Sequence, residues 1–368
     1  MKILKIIFIN LLILFTLLII IEFFGRSIWT LRSCLKFENC DFKRVINLKI
    51  RDDSFLDQNI GLTKYDPLLG YIPNSGFDKK IIAHGWNNKK ITISKNGFRS
   101  NDNSIYLDKK ILVTGDSFTF GDQVSNKNTW PSCLERTSKI GVANAGVYGY
   151  GAAQSLKRAK IESKKKQYDY LILSILVNSN FSRDQLIYRS GFPRPAVVKT
   201  KNVIQWASVP NGDDLGSKFG KSDLSIIQNI IQFAFKYSQV VGTIIDKFFP
   251  WYDFTGKRLT IEHTEAATIN DIMKFTLNEF YKIPIKNKYI LLQFGSRDFE
   301  NNNSSILMSI NELKSIAKSL DIFIIDTYSL IKDELKTNNR ENIWFKEGHH
   351  KPFGNSLICK EIFKEINF

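Results

Sequence analysis

Apolar positions along the chain follow two patterns. Residues 6–24 are almost continuously apolar, with Asn10 and Thr16 as mild interruptions and Glu22 near the end. About 20 apolar residues suffice for a helix to span a bilayer. Further on, the apolar runs are short and bounded by turn residues. Runs at 111–113, 142–144, 170–177, 289–294 and 322–326 predict buried strands. Segments at 129–138, 153–165, 265–281, 304–319 and 356–366 have helical periodicity. Strands alternating with helices at this spacing predict an α/β domain with a parallel sheet covered on both faces.

Two regions break the alternation. Residues 25–105 hold turn signals such as Asp66-Pro67 and Lys95-Asn96-Gly97, and an alternating strand at 90–94. They predict a juxtamembrane, partly β region, packed on a main domain that covers 106–368. Within that domain, residues 181–256 are irregular and contain Pro193, Pro195 and Pro210, with one or two helices expected over 225–249. Such an insertion is either a substrate-binding lid or a structural elaboration.

Composition changes the picture little. The chain has 368 residues, 43% hydrophobic and 24% charged, as in ordinary globular proteins. The net charge of +16 would suit nucleic acid or an anionic surface. The lysines are dispersed, however, and there is no zinc-finger spacing, RNP motif or long basic helix, so nucleic acid is not an expected partner. The four cysteines have no metal-ligand spacing. Cys34 and Cys40 form either a short-loop disulfide or two free thiols. Cys133 and Cys359 fall in amphipathic stretches and are expected to be small core residues.

No A-x-A-like cleavage site follows residue 24, which favours an uncleaved anchor over a signal peptide. Lys2 and Lys5 precede the apolar run, whereas Arg26, Arg32, Lys36, Lys43 and Arg44 follow it. That bias leans towards a cytoplasmic body, although long domains translocate largely regardless of charge.

Four soft motifs carry chemistry. Gly115-Asp116-Ser117 closes the first strand of the main domain. Taken alone, Ser117 is more often a helix cap than a nucleophile. Asn144-Ala-Gly-Val-Tyr-Gly149 follows the second strand, and Asn178 ends the third. Glu347-Gly348-His349-His350, with Pro352 and Gly354 behind it, lies near the end. Alone, this last group could be a surface pair. As a metal site it lacks a third ligand, so neither metal nor cofactor is expected.

Together, in this order and spacing, the four motifs resemble the SGNH hydrolases, the GDSL-type esterase superfamily. The resemblance covers about residue 110 to the end and implies a three-layer α/β/α, flavodoxin-like parallel sheet. It implies Ser117 as nucleophile, His349 as base and Glu347 as acid. The oxyanion hole would comprise the Ser117 N–H, the Gly149 N–H and the Asn178 side chain. The sequence departs from the family pattern in three ways. The acid is Glu347 rather than Asp, and Ser179 rather than Asp follows Asn178. Asn180 is therefore an alternative to Asn178, which is preferred because it directly ends the strand. Two histidines are adjacent: His349 fits the step to Gly354, and His350 fits the step from the acid. His349 is preferred on the glycine step.

The residue chemistry agrees with this assignment. A serine hydroxyl needs a base within hydrogen-bond reach, and an imidazole can take and return its proton near neutral pH. The expected function is a membrane-anchored serine esterase or O-acyltransferase. It would act on an O-acyl, in the first instance O-acetyl, ester of a cell-envelope glycan or lipid. The resemblance sets the catalytic domain outside the cytoplasm. The alternative is a glycan-binding protein that keeps the fold without catalysis.

Overall fold

In the computed structural model, five of the short apolar runs lie side by side as one parallel sheet. The structure describes residues 2–37, 61–81, 88–102, 108–177, 179–186, 188–189, 192–209, 230, 233–234, 237–248, 264–299, 304–346, 348–366 and 368.

The chain begins with helix α1 (Lys2–Phe37). Two hairpins follow, β1 (Thr63–Asp66) with β2 (Gly70–Pro73), and β3 (Asp78–Ile81) with β4 (Lys89–Thr92). Next come β5 (Lys109–Thr114), the short α2 (Ser117–Phe120), α3 (Trp130–Ser138), β6 (Gly141–Asn144), α4 (Ala152–Lys165), β7 (Tyr170–Leu176) and α5 (Asn180–Arg183). A less regular stretch holds β8 (Tyr188–Arg189), β9 (Phe192–Pro193), β10 (Val197–Thr200), β11 (Val203–Trp206), α6 (Gln239–Phe248) and β12 (Thr264–Ala266). The chain ends with α7 (Ile269–Tyr281), β13 (Asn287–Gln293), α8 (Ser304–Ser319), β14 (Phe323–Asp326), α9 (Tyr328–Glu334), α10 (Arg340–Ile343) and α11 (Pro352–Glu365).

The main sheet has the order β14-β13-β7-β5-β6, with every neighbouring pair parallel. Numbered by appearance within the sheet, this is the flavodoxin-like order 2-1-3-4-5. Side chains alternate between two apolar layers, as the pleat requires. Leu112, Leu171, Leu173 and Ile290 enter one cluster with residues of α4, α7 and α8. Ile111, Val113, Ile172 and Leu291 enter the other with residues of α3 and α11. Three layers result, as expected from the alternation. Burying each such side chain contributes about 1.5–3 kcal/mol.

Some boundaries differ from the sequence reading. Glu265 belongs to β12, opposite Lys199, and not to the helix over 265–281. That helix starts after Thr268, whose hydroxyl accepts from Asp271 N in a capping box. The last helix starts at Pro352 rather than 356, because proline is well tolerated in a first turn.

The described residues between α1 and β5 pack on the main domain, as expected. Leu62, Leu69, Tyr71, Phe77, Ile91 and Ile93 form a third buried cluster with Phe120, Val147, Tyr148 and Tyr150. Arg99 N donates to Asn144 O, which joins this region to β6.

The chain divides into two compact units. Met1–Phe55 groups with Gly216–Leu259, and Leu56–Leu215 groups with Thr260–Phe368. In the first, α1 contains the segment Phe8–Arg32, long and apolar enough to cross a membrane. Its Glu22 accepts from Ser238 Oγ (2.7 Å) and Gln239 N (2.6 Å) at the start of α6. Arg26 donates to Glu22 (2.8 Å) and to Tyr237 O (2.8 Å). The charged residue in the apolar run is thus neutralised by an arginine and a helix start. Helix α6 falls within the helical stretch expected over 225–249, of which residues 225–229, 231–232, 235–236 and 249 lie outside the described residues. So does Cys40, while Cys34 is disulfide-bonded.

Cys133 and Cys359 are not the separate core residues expected from the sequence. They form a disulfide between α3 and α11, across 226 residues. Both helices cover the same face of the sheet, which brings the thiols together. Replacing both with serine is expected to remove about 2–5 kcal/mol of stability. The check is the unfolding midpoint of the Cys133→Ser, Cys359→Ser double variant against oxidised wild type; equal midpoints would refute this.

Candidate active site

The site is built at the carboxyl end of β5. Ligands in open α/β sheets bind where the strand order reverses, here between β5 and β7. Thr114 ends the strand, and Gly115 and Asp116 turn the chain. Gly115 is required by packing: a Cβ there would lie 2.9 Å from Ser174 Cβ on β7 and 2.3 Å from Thr119 Oγ1. Asp116 caps α2, its Oδ1 accepting from Phe118 N at 3.0 Å. Ser117 is the first residue of that helix and is 6% exposed.

The Asp116 carboxylate has a second function. Its Oδ2 accepts from Arg183 NH1 at 2.8 Å and from Asn180 Nδ2 at 3.0 Å. Arg183 NH1 also donates to Tyr150 O at 3.0 Å, and Asn180 Nδ2 to the same carbonyl at 3.3 Å. Asn180 Oδ1 accepts from Leu176 N at 2.7 Å. Asn180, the alternative oxyanion donor, is thereby engaged in holding Asp116 and the glycine turn. Asn178 lies outside the described residues.

The glycine turn after β6 is tied to the same place. Asn144 Nδ2 donates to Thr119 O at 3.1 Å, and its Oδ1 accepts from Gly146 N at 3.1 Å. Val147 N donates to Gly115 O at 3.0 Å. Gly149 has a φ of 75°, in the left-handed region. Gly151 opens α4 without a side-chain cap, and Asp184 supplies one from outside, accepting from Ala153 N (2.8 Å) and Gln154 N (3.2 Å). Burial pushes the Asp184 carboxyl up to about 6.

His349 arrives on a tight loop before α11. Phe345 N donates to His349 O (2.8 Å), and Trp344 pairs with His350 as an antiparallel bridge. Gly354 is where α11 packs on this loop, since a Cβ would lie 2.5 Å from Ile343 O. The step from His349 to Gly354 therefore has a packing cause. His349 Nε2 lies 2.9 Å from Ser117 Oγ, across 232 positions of sequence. Its ring also packs against Phe118, with centroids 5.3 Å apart. Glu347 lies outside the described residues.

His350 points elsewhere. It is 3% exposed, edge-on to Phe118 and beside Trp344. Burial lowers its pKa from 6.5 to about 3, so it is neutral at ordinary pH. Adjacent histidines thus face an open site and a core.

Sequence reasoning missed Arg183, Asp184 and Arg99. The first two lie at the start of the 181–256 insertion, where no site residue was expected. Arg99 lies in the small β region and is fully buried; it donates to Phe120 O (2.8 Å) and Val124 O (2.6 Å) behind Ser117. It stands in the mostly polar stretch Lys95-Asn96-Gly97-Phe98-Arg99-Ser100-Asn101, which gives no local signal of burial. Among the described residues, no group of three or more His, Cys, Asp or Glu is arranged to hold a metal ion.

No family model matches the chain, and no curated protein matches it in sequence. Solved structures similar in outline include an α/β hydrolase from the metagenome of Lake Arreo, Spain, at 10% identity and a TM-score of 0.40, covering 71% of this chain and 97% of that one. A member of the lipolytic G-D-S-L family from Veillonella parvula has 12% identity and a TM-score of 0.40, covering 70% and 100%. An acetylxylan esterase from Geobacillus stearothermophilus has 12% identity and a TM-score of 0.37, covering 71% and 94%.

The His350 environment generates a stability prediction. The unfolded imidazole takes up a proton below about pH 6.5, whereas the folded one does so only near pH 3. The contribution is therefore complete above pH 6.5 and is lost as pH falls towards 3. Urea unfolding at pH 7 and pH 5 is expected to show about 1–2 kcal/mol more acid loss in wild type than in His350→Gln. Equal losses would contradict a neutral, buried His350.

Proposed function

We propose that this protein is a membrane-anchored serine esterase or O-acyltransferase of the SGNH type. The observation that carries this reading is the 2.9 Å separation of His349 Nε2 and Ser117 Oγ at the switch point of the sheet. A base at that distance can take the hydroxyl proton as oxygen attacks a carbonyl carbon.

The steps follow from the groups present. Ser117 Oγ bonds to the acyl carbon while its proton passes to His349 Nε2. The carbonyl oxygen becomes an oxyanion, for which the N–H groups of Ser117 and Gly149 and the Asn178 amide are the proposed donors. Losing one such donor typically costs about 2.7–4 kcal/mol of barrier. The intermediate collapses, and His349 returns the proton to the departing alkoxide oxygen. Water or a sugar hydroxyl then attacks the acyl-serine with His349 again as base, and the Ser117–acyl bond breaks as His349 returns the proton to Ser117 Oγ. Glu347 is the proposed acid that orients the imidazole through Nδ1. Asp116, held by Arg183 and Asn180, fixes the turn on which Ser117 sits.

The choice of an envelope O-acyl ester rests on the motif resemblance and on the apolar span of α1. The Cys133–Cys359 disulfide supports an extracytoplasmic catalytic unit, since buried disulfides persist in oxidising compartments. The side of the membrane and the acyl acceptor remain part of the proposal.

A fluorophosphonate probe and an acetyl ester such as p-nitrophenyl acetate test the reading on the full chain in detergent. Wild type is expected to label and to turn over. Ser117→Ala is expected to lose labelling, and Ser117→Ala and His349→Ala each to lose about 10⁶-fold in kcat. His350→Gln is expected to keep both activities. A folded wild type that neither labels nor turns over would instead favour the glycan-binding reading.

A further inference from the structure

A buried carboxylate outside the expected triad faces the Ser117–His349 pair. Asp122 is 4% exposed, and its Oδ2 lies 3.8 Å from His349 Nε2. This is the nitrogen that approaches Ser117 Oγ, not the far one on which Glu347 is expected. A single imidazole nitrogen thus lies between a hydroxyl and a carboxylate.

The loop that presents Asp122 is held at a conformational cost. Gly121 has a φ of 87° and Gln123 a φ of 66°, so Asp122 sits between two left-handed residues. The left-handed region costs a non-glycine residue about 1–2 kcal/mol, and such strain persists only when the surroundings over-determine it. Here Arg99 supplies the constraint. Its guanidinium donates to Phe120 O, Gly121 O and Val124 O, and its Nε to Asn126 Oδ1. Asp122 N donates to Ser117 O at 3.0 Å, so the loop closes directly onto the nucleophile helix. Burial lowers the Arg99 pKa to about 10, with the charges of Asp122 and Asp102 opposing that fall, and the group stays cationic at neutral pH. One buried cation therefore both clamps the loop and balances its carboxylate.

We propose that Asp122 is the charge partner of His349 on the Nε2 side, stabilising the imidazolium that forms when Ser117 gives up its proton. The inference rests on the Ser117–His349 reading above and deepens it. Before attack, Nε2 is occupied by the serine hydroxyl and the carboxylate is too distant for a hydrogen bond. After proton transfer, Nε2 carries a positive N–H, and a negative charge 3.8 Å away lowers its energy. The proton remains on nitrogen until the leaving oxygen takes it, so Asp122 changes the barrier without itself exchanging a proton. Because Asp122 lies on Nε2 and not Nδ1, it complements Glu347 and does not substitute for it.

The other charged groups around His349 leave this assignment in place. His350 is neutral and faces the core, and Asp116 is paired with Arg183. Asp298 accepts from Gly295 N at 2.7 Å. Lys346 and Glu347 belong to the His349 loop itself.

The test uses Asp122→Asn in the full chain, with Asp122→Ser as a second variant should the first not accumulate as folded protein. Titration of His349, followed by NMR of ¹⁵N-histidine protein and assigned with His349→Gln, is the readout that does not require turnover. Removing the carboxylate is expected to lower the titration midpoint by about one pH unit. On p-nitrophenyl acetate, kcat is expected to fall about tenfold or more with KM nearly unchanged, and the acid limb of the rate profile to move to lower pH. Asp122→Glu, which restores the charge, is expected to return the limb towards wild type. A His349 midpoint unmoved in both charge-removing variants would overturn the proposal, whatever the turnover. A lowered midpoint in a protein lacking Ser117-dependent turnover would uphold the pairing and overturn the esterase reading instead.

Discussion

The carboxylate of Asp116 is the interaction on which the site around Ser117 depends. One oxygen caps the helix that begins at Ser117. The other gathers Arg183 and Asn180, which also hold the carbonyl of Tyr150 in the glycine turn. Three stretches separated in sequence, after β5, β6 and β7, are thus fixed relative to one another by one buried anion. A buried charge is tolerable only when paired and hydrogen-bonded, and here both side-chain partners come from the short helix after β7. The same bonds that satisfy the anion define the floor of the site.

The remaining side of the site is set by packing from the C-terminal end. Helix α11 lies on one face of the sheet with α3, and the Cys133–Cys359 disulfide joins the two. Gly354 lets the first turn of α11 approach Ile343, and this fixes the loop that carries His349. Behind Ser117, Arg99 from the small β region ties down the loop after α2. The small β region expected to pack on the main domain is therefore part of the same unit as Ser117, and α1 with α6 belongs to the other unit.

Much of the architecture was legible in the chain. The short apolar runs alternate with amphipathic stretches because a sheet covered on both faces needs apolar side chains on every strand position, while the covering helices need only one apolar face. The turn at Gly115-Asp116-Ser117 and the step from His349 to Gly354 were also legible, and the structure brings Ser117 and His349 to hydrogen-bond distance. Less legible were Arg183, Asp184 and Arg99. These residues act on backbone groups, and a side chain that binds a carbonyl or an amide leaves no periodic signature. Cys133 and Cys359 were misread for a similar reason: spacing of 226 residues carries no information about whether two helices lie on one face.

The sequence by itself determined the parallel α/β class, the apolar N-terminal helix and the order of the four motifs, because periodicity and turn chemistry are local properties. Two adjacent histidines remained distinguishable only by a glycine step. Tertiary structure decided that one of them reaches Ser117 and the other enters the core, since consecutive residues on an extended loop point in opposite directions. It also brought Asp122 beside the same imidazole nitrogen, through a buried arginine from another region. Distances between side chains on different elements depend on how those elements pack, and local sequence does not encode them.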